Sequence, residues 1–167
     1  MSGAQARVSS SVSGTHAVLI ENQTFDKNSG PPTCEPDTVF CYVEITGVEP
    51  QGGSIDGAMI RCSLERVDWY WAFFNTALVA HTVFKDCVFR GASFRGVDFV
   101  ECTFDGCRFI RDNLDSACTF ADCRFTECNF EECMFEPENR PGREPLFGDC
   151  RFYGCHEAGT KGTGPLF

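Results

Sequence analysis

Large apolar side chains recur at every fifth residue over the middle of this chain. Between Met59 and Phe135 the spacing reaches sixteen positions, with one extra residue before Phe120, and eleven of the sixteen are phenylalanine. These positions are Met59, Leu64, Trp69, Phe74, Val79, Phe84, Phe89, Phe94, Phe99, Phe104, Phe109, Leu114, Phe120, Phe125, Phe130 and Phe135. Such a period fits neither a helix, at about 3.6 residues, nor a plain strand, at about 2 residues. It predicts a solenoid of stacked short repeats.

Small residues precede most of these positions by two places, and eight of the twelve cysteines are among them. The eight are Cys62, Cys87, Cys102, Cys107, Cys118, Cys123, Cys128 and Cys133. A thiol in such a place behaves as a compact apolar side chain. Zinc would need ligands that converge on one point, and a disulfide framework belongs to secreted chains. We therefore predict that these cysteines pack in the core, with metal binding and disulfides as the weaker alternatives.

Runs such as Cys102-Thr103-Phe104 and Cys123-Arg124-Phe125 repeat a small residue, any residue and phenylalanine. This pattern resembles the pentapeptide-repeat proteins. The resemblance implies an all-β fold, a right-handed quadrilateral β-helix in which each pentapeptide forms one side of a square coil and the central and small residues point inward. The repeat length predicts about four to five coils, and an N-terminal β cap is expected to cover the open end.

Composition divides the chain around this repeat. Apolar and β-branched segments within 16–25 and 38–46 predict cap strands, with irregular early coils as the alternative. The predicted organisation is a disordered N-terminus at 1–15, cap strands and loops at 16–58, the β-helix at 59–157 with a proline-rich excursion at 137–146, and a mobile tail at 158–167.

The repeat breaks once. Eleven residues separate Phe109 from Phe120, and counting by five puts Asp112 at the small inward position before Leu114. A buried, unpaired carboxylate is costly. We therefore expect residues 110–118 to bulge outward as a loop.

Charge and composition exclude several function classes. The formal net charge is −10, which disfavours direct binding to nucleic acid or to an anionic membrane. No apolar run approaches the ~20 residues of a membrane span, and the first residues lack the apolar segment of a signal peptide. We expect a soluble, cytoplasmic protein.

Acidic residues concentrate in the second half of the repeat. Between Asp98 and Glu136 there are ten acids and three bases. With about 21 residues between equivalent corners across the break, we expect Glu101 to lie over Asp122 and Arg111 over Glu132. A carboxylate face can steer a rigid rod towards a basic cleft, while a merely solvated face is the alternative. The predicted partner-binding acids are Asp98, Glu101, Asp105, Asp115, Asp122, Glu127, Glu131, Glu132 and Glu136.

Four apolar residues of the early repeats fall on outward positions, namely Tyr70, Trp71, Phe73 and Leu78. A contiguous exposed apolar patch usually marks a contact surface. We expect either the N-terminal segment or a second protein to cover it.

No catalytic residue, metal site or cofactor is predicted. His16, His81 and His156 are scattered, and no motif couples any of them to a nucleophile and an orienting acid. No glycine-rich phosphate loop follows a strand and opens a helix. The sequence therefore favours a binding protein over an enzyme.

The resemblance suggests which partner such a protein binds. Characterised pentapeptide-repeat proteins bind DNA gyrase by resembling DNA in shape and charge, and they are longer rods that dimerise through a C-terminal helix. This chain is shorter and its end is rich in proline and glycine. Our preferred hypothesis is an immunity protein that inhibits a bacterial toxin, for example a nuclease, or another enzyme that acts on nucleic acid. Gyrase binding and a purely structural interaction module are the alternatives, and the oligomeric state is left open.

Overall fold

In the computed structural model, the described residues are 7–8, 17–137 and 145–162. Every regular element in these ranges is a β-strand of two to four residues. The strands are β1 (Arg7–Val8), β2 (Val18–Glu21), β3 (Thr24–Phe25), β4 (Val39–Cys41), β5 (Glu44–Thr46), β6 (Ser54–Ile55), β7 (Ala58–Ile60), β8 (Ser63–Glu65), β9 (Asp68–Tyr70), β10 (Phe73–Asn75), β11 (Leu78–Ala80), β12 (Val83–Lys85), β13 (Val88–Arg90), β14 (Ser93–Arg95), β15 (Asp98–Val100), β16 (Thr103–Asp105), β17 (Arg108–Ile110), β18 (Thr119–Ala121), β19 (Arg124–Thr126), β20 (Asn129–Glu131), β21 (Met134–Phe135), β22 (Phe147–Gly148), β23 (Arg151–Tyr153) and β24 (His156–Ala158). None of the described residues forms a helix able to cross a membrane.

The strands stack into four sheets, one on each side of a square coil. Sheet A contains β1, β2, β4, β7, β11, β15, β19 and β23; sheet B contains β3, β5, β8, β12, β16, β20 and β24; sheet C contains β9, β13, β17 and β21; sheet D contains β6, β10, β14, β18 and β22. Successive pentapeptides occupy successive sides, so Phe84 pairs in parallel register with Phe104 one coil later. This is the right-handed quadrilateral β-helix that the resemblance to pentapeptide-repeat proteins implies.

Each corner is turned by a residue in a left-handed conformation. It lies two places after the inward centre of the repeat, as in Thr76 (φ 51°), Gly91 (φ 56°) and Asp122 (φ 56°). Glycine adopts this conformation without steric cost and aspartate tolerates it, whereas a β-branched residue there is a steric outlier. The five-residue period therefore combines a three-residue strand with a fixed turn.

Ladders of phenylalanine rings fill the interior. Phe104 stacks between Phe84 and Phe130, with ring centroids 4.9 and 5.0 Å apart. Neighbouring ladders meet edge-on, as Phe99 meets Phe104 at 5.6 Å and 68°. Both arrangements are favourable for aromatic pairs. The rings are at most 1% exposed, so the predicted inward positions are confirmed for phenylalanine.

The small positions are also interior. The eight repeat cysteines are buried, and all twelve cysteines are free thiols. Their sulfurs lie against backbone carbonyls of the preceding coil, for example Cys107 Sγ at 3.2 Å from Phe84 O and Cys133 Sγ at 3.3 Å from Phe104 O. The thiols thus fill the corners while their weak donors are satisfied.

The strands predicted as an N-terminal cap continue two sheets of the β-helix. In sheet A, β2 pairs with β4 and β4 with β7, while in sheet B β3 pairs with β5 and β5 with β8, all in parallel. Most of the predicted disordered N-terminus and of the excursion at 137–146, and half of the predicted mobile tail at 158–167, lie outside the described residues. Within the N-terminal segment, however, Arg7–Val8 pairs antiparallel with Val18–Leu19.

The register after the break in the repeat differs from the one obtained by counting every fifth residue. Leu114 is 63% exposed and is not an interior centre, because residues 111–118 form a loop between β17 and β18 that returns to the interior at Cys118. Across this loop, residues 26 apart are paired, as Val100 is with Thr126. The expected offset of 21 is therefore wrong, and Glu101 lies beside Glu127 instead of Asp122. Arg111 likewise donates to Pro137 O at 2.6 Å and does not lie over Glu132.

Candidate partner-binding surfaces

Five of the nine predicted acids lie together on one side of the β-helix. Asp105 and Glu131 are at the ends of β16 and β20 in sheet B, while Glu101 and Glu127 occupy the turns that enter this sheet and Glu132 a turn that leaves it. We call these five residues the acidic surface. All but the half-buried Asp105 are exposed. Because each of these residues sits at a strand end or a tight corner, the backbone fixes the position from which its side chain projects.

Like charges stack within the acidic surface. Asp105 is in register with Glu131, and Glu101 follows Val100 where Glu127 follows Thr126. Neighbouring coils are separated by the strand spacing of about 4.8 Å, at which facing like charges are destabilising. In the described part of the chain, the one contact of these five carboxylates with a basic side chain joins Glu101 Oε2 to His81 Nδ1, at 3.1 Å, and it is an ion pair only when the imidazole is protonated. The surface therefore carries carboxylates that a cationic partner could neutralise.

The other four predicted acids lie elsewhere. Asp98 is in sheet A and pairs with Arg124 at 3.3 Å, and Asp122 occupies the corner that leads from sheet D to sheet A. The remaining two belong to the loop region: Asp115 pairs with Arg111 at 3.0 Å, and Glu136 Oε2 accepts the Arg111 backbone N–H at 2.9 Å. The structure does not bring these four together with the acidic surface.

The predicted aromatic patch is divided between three sides. Tyr70 and Trp71 lie at the corner between sheets C and D with their rings 5.1 Å apart, while Phe73 begins a strand of sheet D and Leu78 a strand of sheet A. Trp71, Phe73 and Leu78 are each about two fifths exposed, at 45%, 38% and 41%. Tyr70, Trp71 and Phe73 are thus neighbours, whereas Leu78 faces another direction.

The loop at 111–118 reaches back to this aromatic corner. Trp71 Nε1 donates to Asp112 Oδ2, and the Tyr70 hydroxyl donates to Asn113 Oδ1. Asp112 Oδ1 also accepts the backbone N–H groups of Leu114 and Ser116, each at 2.8 Å. The carboxylate that looked costly from its sequence position is therefore bonded. The loop itself covers part of the patch that either the N-terminal segment or a second protein was expected to cover.

Gly91 makes this contact possible. It lies between Trp71 and the loop along the corner, and a Cβ there would be 2.9 Å from Asp112 Oδ2. Sequence reasoning missed the arrangement. The signals were an aspartate inside a six-residue insertion and a glycine at the corner one coil earlier, which together leave room for a carboxylate.

The structure offers little basis for a catalytic or metal site. His81 and His156 are exposed at separate positions, and His16 lies outside the described residues. Among the residues that the structure describes, no three or more of His, Cys, Asp and Glu are grouped to hold a metal ion.

Comparisons with known proteins identify a repeat family for part of this chain. Residues 89–140 match the family model of pentapeptide repeats. Among solved structures, trypsin-treated QnrB1, a plasmid-mediated fluoroquinolone resistance protein, is 12% identical, with 85% of this chain and 70% of that chain covered and a TM-score of 0.43. The pentapeptide repeat protein Rfr23 from the cyanobacterium Cyanothece 51142 is 9% identical, with 70% and 89% covered and a TM-score of 0.29.

HetL, a pentapeptide repeat protein involved in heterocyst differentiation regulation in Nostoc sp. strain PCC 7120, is 8% identical, with 86% and 84% of the two chains covered and a TM-score of 0.21. No match was found among curated proteins. The family match over residues 89–140 and the ladders of inward phenylalanine agree on the same pentapeptide repeat.

Proposed function

We propose that this protein is a non-catalytic inhibitor that binds a protein partner through the acidic surface. The observation that supports this is the stack of carboxylates at Glu101, Glu127, Asp105 and Glu131, which places like charges next to each other on a rigid scaffold. Such an arrangement costs folding free energy, and a complementary cationic surface on a partner would relieve the repulsion.

The partner that fits this surface is an enzyme with a basic cleft for nucleic acid. A row of carboxylates at coil spacing presents negative charge along a straight, narrow edge, and clefts of opposite sign focus such a field and speed association. We propose that the protein acts as an immunity protein that neutralises a bacterial toxin of this kind, such as a nuclease, in the cytoplasm.

Gyrase binding is the second candidate. QnrB1, one of the similar solved structures, is described as a plasmid-mediated fluoroquinolone resistance protein, and the resemblance to pentapeptide-repeat proteins brings gyrase binding with it. A DNA-like acidic edge would serve either role, so the identity of the captured enzyme decides between them. A purely structural module is the third candidate and predicts no salt-sensitive partner.

The acidic surface is tested by reversing three of its charges together. Immobilised wild-type protein and the variant Glu127→Lys/Glu131→Lys/Glu132→Lys are each exposed to a lysate of the source cells at 50 mM and 300 mM salt, and bound proteins are identified by mass spectrometry. We expect the wild type to capture one enzyme at low salt, because exposed charges interact over about 10 Å at 0.1 M salt and less above it. The purified enzyme should lose activity when the wild-type protein is added.

The matched control is Glu21→Lys/Glu35→Lys/Glu44→Lys, which changes the net charge equally at exposed positions near the N-terminus. It should retain capture and inhibition. Equal capture by both triple variants would refute a role for the acidic surface, and recovery of topoisomerase subunits alone would favour gyrase binding over toxin immunity.

A further inference from the structure

The outer side of sheet A is apolar over four consecutive coils. In β4, β7, β11 and β15, the residue on each side of the buried centre is at least partly exposed to solvent. These outward residues are Val39, Cys41, Ala58, Ile60, Leu78, Ala80, Asp98 and Val100. Asp98 is the one charged side chain among them. We call these eight residues the sheet A face, and register pairing aligns them in two columns along the β-helix.

Sheet B, the next side of the same coils, does not share this character. The equivalent outward residues of β5, β8, β12 and β16 are Glu44, Thr46, Ser63, Glu65, Val83, Lys85, Thr103 and Asp105. Val83 is the one apolar side chain among these. The repeat therefore does not by itself require apolar residues on the outside, and a contiguous exposed apolar surface usually marks a contact.

The charges beside the sheet A face make the face complementary to itself. Arg61 is the corner residue that follows Ile60 of β7, and Glu101 is the corner residue that follows Val100 of β15. Since β7 and β15 are the two neighbours of β11, this base and this acid lie at equal distances from β11. Both are exposed, and among the described residues Arg61 contacts the Tyr42 side chain and forms no ion pair. A two-fold axis at β11 would pair the base of one copy with the acid of another.

We propose that a second copy of this chain docks on the sheet A face and forms an antiparallel dimer. Its two-fold axis runs along β11, so the two β-helices point in opposite directions and β7 of one copy faces β15 of the other. Leu78, the most exposed residue of the face at 41%, then meets Leu78 of the partner subunit. Ile60 meets Val100 of the partner subunit. Arg61 meets Glu101 of the partner subunit at the edge of the contact.

Charge favours this arrangement over a parallel one. A two-fold axis along the β-helix would place Arg61 opposite Arg61 of the partner subunit, and Glu101 opposite Glu101 of the partner subunit, and juxtaposed like charges oppose association. The antiparallel arrangement brings one like pair together at the other edge of the face, Asp37 with Asp122 of the partner subunit. Both of these residues are exposed, so salt screens their repulsion.

The size of the face predicts a weak dimer. The strands of sheet A from β2 to β23, stacked at about 4.8 Å, extend over roughly 30 Å, and a three-residue strand is about 10 Å wide. An interface of standard size buries about 800 Å² per partner. A single face of these dimensions lies at the lower end of that range even when the corner side chains contribute. We therefore expect a dimer that dissociates on dilution.

The dimer is tested by sedimentation velocity of the reduced full chain from low to high micromolar concentration. We expect the wild type to pass from monomer to dimer and to stop at two copies, because a two-fold interface is closed. Leu78→Glu places two carboxylates at the axis and should weaken the dimer by about tenfold or more. The matched control Val83→Glu adds the same charge at a position 40% exposed in the next strand of the same coil, and it should dimerise like the wild type.

A charge exchange identifies the docked molecule as a second copy. Arg61 and Glu101 occupy corners of the same left-handed conformation, with φ of 54° and 51°, so exchanging them does not change the demand on the backbone. Arg61→Glu and Glu101→Arg should each weaken the dimer, because like charges then meet across the axis. The double variant Arg61→Glu/Glu101→Arg should regain it. Circular dichroism verifies that each variant is folded.

Four outcomes would overturn the proposal. They are a wild type that stays monomeric, including one that binds a different protein through this face; equal weakening in Val83→Glu; growth beyond two copies; and a folded double variant that does not regain the dimer. None of them depends on which enzyme the acidic surface captures, so this proposal and the proposed function can fail separately.

Discussion

At the scale of single residues, the inward centres were predictable and the corner residues were not. A phenylalanine every fifth residue leaves one way to bury all the rings, and this fixes Phe89, Phe99 and Phe109 as interior. The corner position, by contrast, accepts Trp71, Thr76 and glycine alike, because its requirement is a backbone conformation and its side chain points into solvent. The pattern of apolar residues does not indicate which positions need this left-handed backbone conformation.

Phe104 tests the interior ladder. Phe104→Ala removes the ring between Phe84 and Phe130 and leaves a cavity, so we expect a loss of about 3–5 kcal/mol in the free energy of unfolding. Urea denaturation measures it. The control Phe73→Ala, at a position 38% exposed, should cost less than about 1 kcal/mol. A similar cost for both would mean that ring stacking does not hold the coils together.

Thr76 tests the corner. Its φ of 51° is costly for a β-branched residue, and a left-handed conformation costs about 1–2 kcal/mol for residues other than glycine. Thr76→Gly is therefore expected to raise the free energy of unfolding by about 1 kcal/mol after the added chain entropy of glycine. Gly96→Ala, at the same corner one coil later with φ 60°, should shift the urea midpoint the opposite way. A shift of the same sign in both variants would contradict this account.

At the scale of elements, the loop at 111–118 shows what a repeat count leaves out. The expected bulge is present, but counting by five placed Leu114 inside and set the wrong offset for every later coil. Spacing alone does not distinguish two short repeats from one insertion. The deciding contacts, Asp112 with Trp71 and Asn113 with Tyr70, join residues about forty positions apart, at separations of 41 and 43.

Asp112 is the residue that holds this loop. Asp112→Ala leaves the N–H groups of Leu114, Ser116 and Trp71 without this acceptor, and each such hydrogen bond contributes about 0.5–1.5 kcal/mol. We expect faster hydrogen exchange at the Leu114 and Ser116 amides, with exchange in the core strands little changed. Asp115→Ala is the control, since an exposed ion pair contributes about 0–1 kcal/mol. Unaltered exchange in the loop of Asp112→Ala would show that other contacts order it.

At the scale of the whole molecule, buried thiols make stability depend on alkaline pH. Burial raises the pKa of Cys118 to about 12 and that of Cys34 to about 11, from an ordinary value of 9.0. At a pH between 9.0 and the raised pKa of each thiol, the folded state keeps the thiol proton that the unfolded chain releases. The stabilisation is therefore complete below about pH 9 and declines as pH rises towards 12.

The measurement is the urea midpoint between pH 7.5 and 10.5. We expect it to fall above about pH 9, and to fall less steeply in Cys118→Ala, whatever the absolute stability of that variant. Parallel slopes for wild type and Cys118→Ala would show that this thiol does not contribute.

Whole-molecule architecture was the part of the fold best predicted from the sequence, because a short period dictates stacking. The grouping of the acids was predicted less well. Their outward direction follows from the repeat, but the side on which each acid after the loop lies depends on the length of the inserted loop. That is why Asp122 lies apart from the acidic surface, although it was expected beside Glu101.

The loop at 111–118 lengthens the chain at a corner without displacing a ladder, since the pairs Phe94–Phe120 and Phe109–Phe135 stay in parallel register across it. A corner of this solenoid can therefore gain residues while the stacked rings continue undisturbed. Variation in chain length among such proteins should collect at corners, and a foreign peptide grafted there would be displayed on a scaffold that already tolerates the interruption.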